Sequence, residues 1–126
     1  MTVAFALALH GGAGTIARGA DEAPYRAALL EALEPGRATL AGGGSALDAV
    51  VATVVALEDC PLFNAGYGSV FTADAAHELD AGVMDGRTLA AGAVAGVRTI
   101  RNPILAAREI MRDGRSVLLG AEGAER

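Results

Sequence analysis

An α/β fold is predicted by three features of the sequence. Apolar runs bounded by glycine read as strands, apolar positions recur at helical spacing between them, and 17 of the 126 residues are glycine while only 4% are aromatic. The length fits one domain or one half of a larger one. Hydrophobic residues make up 52% of the chain, but they are mostly Ala, Val and Leu. Each buries little area, so the core must rely on backbones approaching closely. A core of this kind suits a fragment completed by another chain better than a self-sufficient domain.

Taken in order, Val3 to Leu9 is a continuous apolar run ending in His10 and a glycine cluster, the pattern of a strand buried on both faces. Asp21 to Glu34 reads as a helix, with Pro24 in its first turn and Ala28, Leu29, Ala32 and Leu33 at helical spacing. Pro35-Gly36 should stop or kink it, leaving Arg37 to Leu40 as one further turn before Gly42-Gly43-Gly44. Ser45 and Asp48 form a variant capping box, and from Ala46 to Leu57 only Asp48 and Thr53 are polar, so that helix is buried on most faces. Glu58 to Phe71 carries Pro61, Gly66 and Gly68 and should be irregular. Leu79 to Met84 and Leu89 to Val97 flank Asp85-Gly86, a strong hairpin signal. The second of these strands is nearly all Ala, Gly and Val, so another backbone must lie close to it. Asn102-Pro103 should cap and open a helix that Gly114 ends, with a last strand over Val117 to Leu119 and a helix onset at Ala121.

Several function classes are disfavoured. The net charge is −5 and all ten basic residues are Arg, with no basic stripe, so neither nucleic acid nor an anionic membrane is an expected partner. No apolar stretch approaches the roughly 20 residues that span a bilayer. The apolar start has no basic residue before Arg18, and Cys60 stands alone. The expected setting is therefore soluble and cytoplasmic.

Three motifs carry possible chemistry. In His10-Gly11-Gly12-Ala13-Gly14-Thr15, glycines let a backbone approach a ligand or another chain. Gly12-x-Gly14-x-x-Ala17 matches a loose dinucleotide fingerprint, but a helix, a Pro-Gly break and another helix follow instead of the required second strand. A tight turn with His10 merely packed stays an open reading of the motif alone. The second motif runs from Asp59 to Val70. A reactive thiolate needs positive surroundings, and Cys60 lies beside Glu58 and Asp59, so it is not the expected nucleophile. Asn64 can orient a nucleophile or polarise a carbonyl, or else cap its own loop, and spacing does not separate the two. The third is the set Asp74, His77, Glu78, Asp80 and Asp85, whose spacing fits no metal motif and reads as a solvated edge. Thr15, Thr53, Thr72, Thr88 and Thr99 are nucleophiles only by name, since none stands next to a plausible base.

Together, LALHGGAGTI, GGGSALDAVVATVVALEDCPLFNAGYGSVF and ELDAGVMDGRTLAAGAVAGVRTIRNPILAAREIM, in this order, resemble the α-subunit of the plant-type L-asparaginase/isoaspartyl dipeptidase family. That family belongs to the N-terminal-nucleophile hydrolases. The resemblance covers nearly the whole chain and is weak at Ala17 to Ala27 and past Arg115. It implies an αββα sandwich, of which residues 1–126 are the amino-terminal, α-subunit portion of one domain. It further implies a precursor that cuts itself once, an (αβ)₂ assembly, and a nucleophilic Thr at the start of the β subunit whose own α-amino group acts as base. That Thr attacks the side-chain amide of asparagine or the isopeptide bond of β-aspartyl peptides. It lies beyond this chain, together with the substrate-gripping Arg and Asp and the oxyanion donors, so no catalytic residue is assigned here.

For this half, His10, Gly11 and Gly12 resemble the loop beside the catalytic Thr, and Asn64 resembles the amide near the nucleophile. The carbonyls of Leu57, Glu58, Cys60, Phe63, Ala65 and Tyr67 resemble the family's sodium-binding loop, and hard oxygen donors suit such a cation. No organic cofactor is expected. Pro35 departs from the family pattern, and the chain ends at Arg126, ahead of the family's last α-subunit helix and Gly-Thr cleavage site. The alternative reading is a truncated, non-catalytic paralogue that binds or pairs with a full-length partner.

Overall fold

A computed structural model describes residues 4–14, 17 and 19–126. Three α-helices and a three-stranded sheet make up the regular structure among these residues: α1 (Ala23–Ala41), α2 (Ala46–Asp59), β1 (Leu79–Met84), β2 (Ala91–Val97), α3 (Pro103–Asp113) and β3 (Leu118–Gly120). Single 3₁₀ turns lie at Gly66–Gly68 and Ala121–Gly123. The sheet order is β1-β2-β3, antiparallel between β1 and β2 and parallel between β2 and β3. The mixed α/β expectation therefore stands.

The second helix starts where the local chemistry places it. The Asp48 N–H donates to the Ser45 hydroxyl oxygen at 3.0 Å, and that hydroxyl donates to the Asp48 carboxylate at 2.7 Å. Asp48 also pairs with Arg108, tying the start of α2 to α3. The Ser45 hydroxyl and then the Arg108 guanidinium hold the Asp48 carboxyl below its usual range. The core follows from these helices: Val51 of α2, Val83 of β1 and Ile104 and Ala107 of α3 pack together, with Met111 alongside.

Glycine sets the packing at two places. A Cβ on Gly92 of β2 would lie 2.2 Å from the Ala107 carbonyl oxygen and 2.4 Å from the Met111 nitrogen, so α3 lies directly on the strand backbone. This is the close approach that the small-residue strand predicts. A Cβ on Gly36 would lie 2.2 Å from Thr53 Oγ1 and 2.9 Å from the Ala49 carbonyl oxygen. Gly36 is thus the crossing point of α1 on α2.

That crossing corrects the expected stop at Pro35-Gly36. The first helix begins at Ala23 and runs unbroken to Ala41 with Pro35 inside it. Proline removes one intrahelical bond, but burial of Gly36 against α2 holds the following turns in place. The strand expected from Val3 to Leu9 is also corrected. Val3 lies outside the described residues, and 4–9 form no strand. A strand exists only through a ladder partner, and no described strand runs beside this segment. Leu7 instead reaches the α1–α2 crossing, where its Cδ2 would lie 2.8 Å from a Gly36 Cβ. The segment is largely exposed, with Phe5 at 42%.

The hairpin forms between the expected strands with a different turn. Asp85 to Ala90 make up the loop, closed by the Asp85 N–H on the Ala90 carbonyl at 2.9 Å and the Leu89 N–H on the Asp85 carbonyl at 2.7 Å. Leu89 adopts φ 60°, so the second strand starts at Ala91 rather than at Leu89. A bulge places Ala95 and Gly96 opposite Asp80, and the Asp80 carboxylate accepts the Gly96 N–H at 2.7 Å. The last strand is Leu118–Gly120, one residue later than expected. The turn at Gly114 is as expected, with φ 71° ending α3.

Asn102 does not cap α3 with its side chain. The acceptor comes from α2: Glu58 Oε1 takes the Ile104 N–H at 3.0 Å, and Asn102 donates to Asp59 instead, at 3.2 Å. The end of one helix therefore caps the start of the next. No helix among the described residues is long and apolar enough to cross a membrane.

Candidate active-site cleft

The glycine loop after Leu9 is shaped by its own side chain. The Gly12 N–H donates to His10 Nδ1 at 3.1 Å, and Gly12 sits at φ 110°, a conformation that excludes most other residues. His10 thus serves as the acceptor of its own turn, which leaves Nε2 as the nitrogen free to face a ligand.

A second loop rises from the end of α2. The Phe63 carbonyl accepts the Ala65 N–H at 2.8 Å, closing a three-residue turn with Asn64 at its apex. Asn64 Oδ1 accepts the Val70 N–H at 2.9 Å. That contact is the self-capping role open in the sequence. With Oδ1 engaged, the Nδ2 hydrogens are what the side chain has to offer elsewhere.

His10, Gly11, Gly12 and Asn64 come together on one cleft of about 710 Å³, with Tyr25 and Leu29 of α1 on its wall. Among the described residues its lining contains neither acid, lysine nor arginine. Those residues offer amide, imidazole and phenol hydrogen bonds, and none of them supplies a countercharge for a carboxylate. Tyr25 was missed in the sequence, although Tyr25 and Leu29, four residues apart, fall on one helix face.

The cleft lacks a nucleophile of its own among the described residues. Thr53 is buried at the α1–α2 crossing. Thr72 and Thr88 accept the N–H groups of Ala76 and Ala90, and the Thr99 N–H is held by Glu125. Thr15 lies outside the described residues. Ser69 and His77 are bonded at 2.9 Å, but they line a separate depression.

The carbonyl set of the 57–67 loop can be tested against a cation. A Cβ on Gly68 would lie 2.3 Å from the Phe63 carbonyl oxygen and 2.9 Å from that of Cys60, and one on Gly66 would lie 2.4 Å from that of Glu58. Only glycine at 66 and 68 lets the chain pass this close to those oxygens. The Leu57, Phe63 and Ala65 carbonyls each accept one backbone N–H, which leaves each a second lone pair. The donors are uncharged oxygens, which fits a hard monovalent ion. Asp74, His77, Glu78, Asp80 and Asp85 build no such centre: among the described residues no three His, Cys, Asp or Glu side chains cluster.

Comparison with known proteins gives the context. Residues 3–126 match the family described as Asparaginase. The chain is 55% identical over 123 residues to an isoaspartyl peptidase of Salmonella typhimurium, covering 94% of this chain and 39% of that protein. It is 54% identical over 123 residues to an isoaspartyl peptidase of Escherichia coli, covering 94% of this chain and 38% of that one. Against a plant-type L-asparaginase of Thermococcus kodakarensis the identity is 50% over 124 residues, covering 94% and 39%. The chain thus spans about two fifths of the length of these curated relatives.

Proposed function

This chain belongs to the asparaginase family, and on that premise we propose that it is the non-nucleophile part of an amidohydrolase acting on L-asparagine and β-aspartyl peptides. The observation that carries the reading is the meeting of His10–Gly12 with Asn64, far apart in sequence, on one cleft whose described lining holds no acid, lysine or arginine. Such a wall suits the scissile amide rather than the charged ends of an amino acid. The attacking Thr, the groups that grip the α-carboxylate and ammonium, and the oxyanion donors belong to a second, β subunit. That division agrees with a cleft that has no countercharge and no nucleophile among its described residues.

In this scheme Asn64 contributes a fixed donor. Its Oδ1 is fastened to Val70, so Nδ2 is held in place to orient the nucleophile or polarise the amide without reorganisation. The glycine loop brings backbone beside the reacting Thr, where a Cβ would intrude. Sodium held by the carbonyls of Leu57, Glu58, Cys60, Phe63, Ala65 and Tyr67 would stiffen the loop that presents Asn64. In this reading Cys60 acts through its carbonyl alone.

The β subunit is also proposed to complete the fold. Among the described residues β1 and β3 are the two edges of the sheet, and Met84, Val117 and Leu118 are more than half exposed. Strands added there would widen this sheet, and a second sheet stacked on it would complete an αββα sandwich, which pairs as (αβ)₂.

The test is turnover. The protein that carries this chain, purified with its β subunit, is expected to release ammonia from L-asparagine and aspartate from a β-aspartyl dipeptide, whereas residues 1–126 alone release neither. Failure of the whole protein on both substrates would overturn the proposal.

A further inference from the structure

We infer that Phe63 is a positioning residue whose ring sets the width of the cleft, by seating the His10–Gly14 loop against the turn that presents Asn64. The inference rests on the amidohydrolase reading for its consequence, though not for its geometry. Phe63 is 7% exposed, while Leu62 beside it is 39% exposed and Asn64 is open to the cleft. A Cβ on Gly11 would lie 2.8 Å from Phe63 Cε1 and 3.3 Å from Cδ1, with Leu29 Cδ2 at 2.9 Å. The Gly11 backbone is thus wedged between the Phe63 ring and α1. At its other end the same residue fixes the Asn64 turn, because its carbonyl closes that turn on Ala65 at 2.8 Å. One residue therefore holds both walls.

No polar contact among the described residues shares that task. Among the described residues no hydrogen bond joins residues 4–14 to the Asn64 turn; the bond inside that segment is the local one from Gly12 to His10. Residues 4–14 also have no regular secondary structure of their own. The spacing between the loops is left to packing, and packed contacts transmit changes of a methylene or more. The ring has no polar atom and cannot take part in the chemistry, so its effect runs through the placement of Asn64 and the glycine loop.

The experiment is a double-mutant cycle of Phe63→Leu and Gly11→Ala in the whole protein that carries this chain, with three readouts. These are kcat and KM on a β-aspartyl dipeptide, the melting temperature, and amide hydrogen exchange of the segments 10–14 and 64–70. Phe63→Leu is expected to lower kcat per folded molecule about tenfold or more, since ångström-scale misplacement is amplified in this way, and to speed exchange in both segments. Gly11→Ala is expected to cost less in the Phe63→Leu background than in the wild type, because the smaller side chain leaves room for the new methyl. Additive effects, an unchanged kcat, or faster exchange confined to 64–70 would each overturn the inference. Should Phe63→Leu not fold, Phe63→Met keeps more of the volume and carries the same cycle. If the wild type hydrolyses neither substrate, the amidohydrolase reading fails, while joint loss of protection in the two segments still supports Phe63 as their link.

Discussion

Glu58 shows how one residue joins two elements. It is 2% exposed, its Oε1 accepts the Ile104 N–H of α3, and its Oε2 has no hydrogen-bond partner among the described residues. Burial pushes its carboxyl above the usual range, opposed by the Ile104 N–H and the Asn102 amide. Glu58→Ala leaves the buried Ile104 donor unpaired and is expected to cost about 1–3 kcal/mol in chemical denaturation. Glu58→Gln keeps an acceptor and is expected to cost less; equal losses would show that the cap is not what Glu58 contributes. Glu125 works from the far end of the chain, its Oε1 accepting the Arg98 N–H at 2.5 Å and the Thr99 N–H at 2.7 Å. Those two bonds lower its carboxyl below the usual range. Its contribution is therefore present above the ordinary glutamate range and lost as the pH falls through the lowered value. The melting temperatures of wild type and Glu125→Gln should differ at neutral pH and converge in acid; a gap that persists in acid would mean that the carboxylate charge is not involved. The cap at Ser45 and Asp48 was legible in the sequence because both partners lie within one turn. The cap from Glu58 to Ile104 was not, because its partners are brought together only by the packing of α2 on α3.

At the scale of elements, close packing decides more than local propensity. Pro35-Gly36 reads as a break, yet α1 passes through it because Gly36 is the crossing point on α2. The Asp85-Gly86 hairpin was legible, but its turn length was not, since Thr88 and Leu89 give no signal that Leu89 will take φ 60°. The apolar run before His10 has the composition of a strand without a described partner to make it one. By contrast, the small-residue pattern of β2 announced its close contact with α3. Gly92→Ala would place a methyl 2.2 Å from the Ala107 carbonyl oxygen, a backbone atom that cannot swing aside. It is expected to cost about 1–3 kcal/mol or more, the range for overpacked cores, and a melting temperature equal to that of wild type would refute the contact. The 57–67 loop gives a further test. Replacing sodium with a bulky organic cation is expected to lower the melting temperature of the whole protein, since an ion bound only by the folded state stabilises it. No change across the exchange would remove the ion from the account. Cys60→Ser should leave the sodium effect intact.

At the scale of the whole molecule, the chain has a core of its own and surfaces that ask for more. Val51, Val83, Ile104 and Ala107 close the contact between helices and sheet. Phe71, Leu89, Val117 and Leu118 are more than half exposed, and open strand edges pair with other chains. Half of the candidate site was legible in the same uneven way. Asn64 and the His10 loop stood out because glycine and amide chemistry is local. Tyr25 and the Phe63 ring did not, because their place on the cleft depends on how α1 lies across it. The central claim is that this chain forms the non-nucleophile wall of a site completed by a second subunit. Intact-mass spectrometry of the active native protein tests it most directly. The account predicts two chains in equal amount, one containing the sequence described here and the other beginning with Thr; a single uncleaved chain with full turnover would contradict it.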